Sequence, residues 1–71
     1  MNGREISAIV ETSITAAVKE RNASHPVLPV SRAVNLAMLR MNAAAKDRLM
    51  VSRLICEHGK RRGLVLQLKD D

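Results

Sequence analysis

Apolar residues recur every three or four positions through the first part of the chain. Ile6, Ile9, Val10, Ile14, Ala17 and Val18 define one face of a helix from about Arg4 to Arg21, with Glu11, Thr15 and Lys19 on the other side. β-branched residues are frequent here and lower the intrinsic helix propensity, so this segment depends on tertiary packing. Asn22 and the following Ala-Ser-His-Pro end it, because Pro26 drives His25 out of the helical region. Residues 22–30 then read as an extended loop in which Pro26 and Pro29 fix the backbone while Val27, Leu28 and Val30 lie across a core.

The pattern is helical again from Arg32 to His58, with Ser31 as the expected N-cap and Gly59, flanked by His58 and Lys60, as the expected C-terminal stop. One long helix and two shorter ones both fit this stretch. Asn42 or Asp47 can cap a second helix, and the reading favours a break within 42–47. Both halves are apolar on two sides. Val34, Ala37, Met38 and Met41 line one face, with Leu36, Leu39 and Ala43 pointing away. Further on, Leu49, Ile55 and Cys56 oppose Met50, Val51 and Leu54. A helix apolar on two faces is sandwiched. The cover is expected from a second copy packed through these helices, and the competing reading is a compact monomer using the same residues as core.

Helical periodicity stops at Gly59. A basic Lys60-Arg61-Arg62 follows, and Gly63 opens the alternating run Leu64-Val65-Leu66-Gln67-Leu68. A lone extended apolar segment is not stable unless something pairs with it. The run is therefore expected to meet a partner or a second copy, or to pair with Val27–Val30, where Pro29 permits only an edge position. The expected fold is all-α: a single domain, 1–71, of three helices with a short C-terminal β-strand.

Composition sharpens the case for association. Seventy-one residues without Phe, Tyr or Trp must build a core from Ile, Leu, Val, Met and Ala. So small a core needs a staple. Cys56 is the only cysteine, so no disulfide supplies one within the chain. A homodimer is the expected solution. The lone cysteine suits a reducing compartment, and the polar residues interleaved in the first helix suit neither a signal peptide nor a membrane span. A cytoplasmic protein without membrane partners is expected.

The net charge of +5 is unevenly placed. Residues 1–45 carry five cations and three anions, residues 46–62 six and two, and residues 63–71 one and two. The basic excess belongs to the last helix and its exit, and it favours polyanions. Were 32–60 a continuous helix, Asn35, Asn42, Lys46, Arg53 and Lys60 would share one polar stripe, with Arg61 and Arg62 beyond its end. Cations seven residues apart lie about 10 Å apart along a helix and can follow a phosphate backbone, while Asn can read adenine. An ordinary solvated face containing Glu57 is the alternative. No helix-turn-helix pattern is present, nor is the N-terminal strand of a ribbon-helix-helix. The missing aromatics argue against single-stranded nucleic acid, where stacking carries affinity.

Catalytic patterns are missing: no nucleophile elbow, phosphate loop or acid pair, and two scattered histidines, His25 and His58. Cys56, Glu57 and His58 are consecutive, point about 100° apart on a helix, and cannot converge on one metal. No cofactor is implied. The leading reading is a non-catalytic regulatory or accessory protein contacting nucleic acid through Asn42, Lys46, Arg53, Lys60, Arg61 and Arg62. The rival reading is a small inhibitor or adaptor that binds another protein through its apolar helix faces and the C-terminal run. Val34, Met38, Met41, Leu54, Leu64, Leu66 and Leu68 are the candidate interface residues under either association.

Overall fold

A computed structural model of the chain describes residues 3–21 and 27–68, with the side chain of Arg21 outside that description. The loop expected at 22–26, His25 included, lies outside the described residues. Helix α1 spans Gly3–Arg21, strand β1 Val27–Pro29, helix α2 Val30–Met41, a 3₁₀ turn Ala45–Asp47, helix α3 Arg48–Arg61 and strand β2 Val65–Gln67. The fold is the expected three-helix one, broken within 42–47. The C-terminal run finds its partner inside the chain. β1 and β2 pair in parallel, with Val27 opposite Val65, Leu28 opposite Leu66 and Pro29 opposite Gln67. Because α2 and α3 form a hairpin, the strand entering one and the strand leaving the other meet at the same end. Both strands are edges of a two-stranded sheet, which is what Pro29 requires.

The core gathers Val10, Ile14 and Ala17 from α1, Leu28 from β1, Val30, Ala33, Val34 and Ala37 from α2, and Val51 and Ile55 from α3. α1 packs on both other helices and on β1. Its buried face is the one the periodicity outlines, with Ile6, Ile9 and Val18 at the margin. Ser13 is the one polar residue among the buried described residues, and its hydroxyl donates to the Ile9 carbonyl at 2.7 Å.

Three expectations are corrected. α2 begins at Val30, directly behind the strand, so Pro29 occupies the N-cap position and Ser31 is already helical. Gly59 does not stop α3. The helix runs through it to Arg61 and ends where Gly63 takes φ 73°, with the amides of Gly63 and Leu64 donating to the carbonyls of Lys60 and Gly59. Asn42 ends α2 in the same way at φ 53°, its amide and that of Ala43 donating to Leu39 and Met38. The third correction concerns the helix faces. The buried stripe of α3 is Val51, Ile55 and Gly59, which takes one residue from each expected face, and that of α2 is shifted toward Val30 and Ala33. α1 and the strand pair cover these buried stripes from within the chain, while Leu39, Leu49 and Met50 stay exposed.

Three polar clasps join the helices. Arg48 Nη1 donates to Asn35 Oδ1 at 2.8 Å across the hairpin. Glu11 of α1 receives His58 Nδ1 at 2.7 Å and Arg62 Nη1 at 3.2 Å from the end of α3. Arg32 grips Glu20 through two hydrogen bonds of 2.8 and 3.2 Å. The hydrogen bond from Arg32 holds the Glu20 carboxyl below the usual carboxylate range and raises the guanidinium in turn. A carboxyl depressed in the folded state stabilises it above the unfolded value, and the contribution is lost as pH falls through the folded one. Both groups are exposed, so the contribution is small. In Arg32→Gln, Glu20 is expected to titrate at a higher pH than in the natural chain, read from its carboxyl-carbon NMR shift. Identical midpoints would show that the clasp is not kept in solution.

Candidate nucleic-acid interface

α3 turns Val51, Ile55 and Gly59 inward, so residues half a turn away face solvent. Arg53 and Lys60, seven apart, lie on this outer face, with Glu57 and Arg61 beside them. Ser52 and Cys56 complete the rim of an open groove of about 470 Å³ lined by these same residues. Arg61 donates to Glu57 at 3.1 Å, one turn back, and both are well exposed, so the pair is weak. Arg53 and Lys60 make no ion pair or side-chain hydrogen bond among the described residues. At 1.5 Å per residue they stand about 10 Å apart along the helix.

The structure therefore brings Arg53, Lys60 and Arg61 together and separates them from the rest of the expected set. Lys46 is exposed in the 3₁₀ turn ahead of α3. Arg62 turns toward α1, where it holds Glu11 Oε2 and Thr15 Oγ1, each at 3.2 Å. Asn42 lies on a second depression, of about 390 Å³, with Asn35, Met38, Leu39 and Arg48. The stripe through Asn35 and Asn42 presumes a continuous helix, and the reversal at Asn42 removes both from it. Asn35 is also engaged by Arg48, a residue the sequence reading passed over. Nothing local announces that bond or the Glu11–His58 contact. Each joins distant segments, though Glu11 with Thr15 and His58 with Arg62 are visible as polar i, i+4 pairs.

The candidate interface residues fare unevenly. Val34, 2% exposed, is consumed by the chain's own core. Leu66 pairs beside Leu28 and packs on the core, as Met38, Met41, Leu54 and Leu64 do in part. Leu68 remains 69% exposed. Among the described residues, the other large apolar side chains left in water are Leu39, Leu49, Met50 and Val65.

No three His, Cys, Asp or Glu side chains among the described residues come together as metal ligands. No helix of the described residues is long and apolar enough to cross a membrane. Comparisons with protein-family models, with curated proteins and with solved structures return no match for this chain.

Proposed function

We propose that this is a non-catalytic regulatory or accessory domain that docks the outer face of α3 on the phosphate backbone of duplex nucleic acid. The observation that carries the reading is the pair Arg53 and Lys60, two exposed cations on one helix without partners among the described residues, reinforced by Arg61. The helix fixes the backbones of these cations, so only their side chains need ordering when a polyanion arrives. Asn42, the side chain expected to read adenine, lies elsewhere, and the cations of this face are assigned to phosphate, so binding is expected to be largely insensitive to sequence. Arg62, expected in this surface, is assigned instead to holding α3 on α1.

Titrating a generic DNA duplex at several salt concentrations tests this. Contact with three phosphates predicts that log K falls against log salt with a slope of about −2.7, with binding still measurable at physiological salt. A flat dependence, or binding confined to very low salt, would reduce the face to solvated surface. A second reading, an inhibitor or adaptor for another protein, is favoured by the exposed Leu39, Leu49, Met50, Val65 and Leu68. Its binding would be salt-insensitive and independent of Arg53 and Lys60.

A further inference from the structure

The connection between α2 and α3 is written in residues that favour helix. Ala43, Ala44, Ala45 and Lys46 are strong helix formers, and neither glycine nor proline occurs between Val30 and His58. The ladder nevertheless breaks. Asn42 takes φ 53°, uncommon for a residue with a side chain, and Ala44 is extended at φ −77° and ψ 156°. The restart is weakly marked, since neither the 3₁₀ turn nor α3 receives a side-chain capping bond and α3 has no acidic residue in its first turn. Beside the break, Leu39 at the end of α2 and Leu49 and Met50 at the start of α3 are 79%, 66% and 49% exposed. Local sequence and hairpin disagree at this one place, and the disagreement leaves apolar surface uncovered.

We propose that the chain has a second folded state, an exchanged dimer. In it residues 42–47 become helical, α2 and α3 fuse into one helix from Val30 to Arg61, and α3 and β2 of each copy pack on α1, β1 and α2 of the other. Short hinges under local conflict invite such exchange. The topology makes the second copy obligatory. β1 adjoins α2 and β2 closely follows α3, so fusing the helices carries the strands to opposite ends of a rod about 48 Å long at 1.5 Å per residue. They can no longer pair within one chain. In a two-fold pair of antiparallel rods, β2 of each copy reaches β1 of the other, in the same parallel register and over the same Gly59. The contacts that α3 and β2 make with α1, β1 and α2 in the closed chain are remade between copies. The exchange adds the hinge hydrogen bonds, relieves Asn42 of its left-handed turn, and sets Leu39, Leu49 and Met50 against their counterparts across the axis. Ala43, Ala44 and Ala45 lie where the rods cross, and their methyl groups permit close approach. This inference does not depend on the nucleic-acid reading.

Two hinge substitutions push in opposite directions. Ala44→Pro suits the closed chain, where φ is already close to that of proline and the amide makes no backbone hydrogen bond, but it breaks a continuous helix. It should weaken dimerisation by on the order of a hundredfold or more while keeping the helical circular dichroism. Asn42→Ala penalises the left-handed turn and favours the rod, and should tighten dimerisation on the order of tenfold. Molar mass by light scattering across a micromolar to millimolar dilution series reads both. Exchange itself is read by oxidising Val27→Cys with Val65→Cys in a Cys56→Ser background, since these are register partners. The dimer fraction should become covalently linked chain to chain and the monomer fraction within the chain. An Asn42→Ala variant that stays monomeric throughout, an Ala44→Pro variant that dimerises as well as Asn42→Ala, or a dimer linked only within its chains would each overturn the proposal.

Discussion

Gly59→Leu is expected to leave the domain largely unfolded at room temperature. A Cβ at Gly59 would stand 2.6 Å from Cδ2 of Leu28 and 3.0 Å from Cδ2 of Leu66. Both atoms end flexible side chains, and in an open site they would swing aside. Leu28 is fully buried among Val10, Ile14 and Ile55 and has nowhere to go, and Leu66 is its register partner in the sheet. The clash therefore reaches helix, sheet and core together. Overpacking a core costs about 1–3 kcal/mol, and four extra carbons at a site with no room for one belong at the upper end or beyond it. A domain of this size draws only about 3–5 kcal/mol from its core. Gly59→Ala is the finer test. Alanine gains about 1 kcal/mol of helix propensity, so the sign depends on whether the leucines yield. The burial of Leu28 argues that they do not, and a lowered denaturation midpoint is expected. A raised midpoint would mean that the strand pair lifts off α3 at little cost.

The largest functional effect is expected from Arg53→Gln combined with Lys60→Gln. Neither side chain has a partner among the described residues, and glutamine is nearly as good a helix former as the residues it replaces, so the fold should be untouched. If the outer face of α3 docks on phosphates as proposed, the double change removes two contacts and should make the salt slope less negative by about 1.8 and lower duplex affinity on the order of a hundredfold at moderate ionic strength. Lys19→Gln, an exposed cation on α1, removes charge without removing a contact and should change affinity less than twofold. Equal losses in both variants would mean that net charge, and no particular face, attracts the polyanion.

Much of this fold is legible in the sequence, because its elements announce themselves locally. The three-to-four-residue recurrence from Ile6 to Val18 gives α1 and its buried face. Pro26 and Pro29 around Val27 and Leu28 give an extended edge segment, and the alternation after Gly63 gives the strand that joins it. What could not be read is where one local signal competes with another. Gly59 and Gly63 both look like helix ends. Only the tertiary arrangement shows that Gly59 is spaced with Val51 and Ile55 for the sake of two leucines, while Gly63 supplies the left-handed turn. Ser31 is a good cap in isolation, yet Pro29 leads the strand straight into the helix one residue earlier. The basic face was legible as far as Arg53, Lys60 and Arg61, which share one uninterrupted helix. Arg62 was lost to it because its partners, Glu11 and Thr15, come from the other end of the chain, and Asn42 because its own backbone reverses direction.

The parallel strand pair has a consequence for how the chain folds. Val27–Pro29 and Val65–Gln67 are separated by about half the sequence, and the hairpin between them must close before they meet. Until β2 docks, Leu28 has no strand beside it and the notch at Gly59 stands open. A chain that lacks Val65–Gln67 is thus expected to hold its helices around an unsealed interior, with Leu28 and the Gly59 notch open to other apolar surfaces.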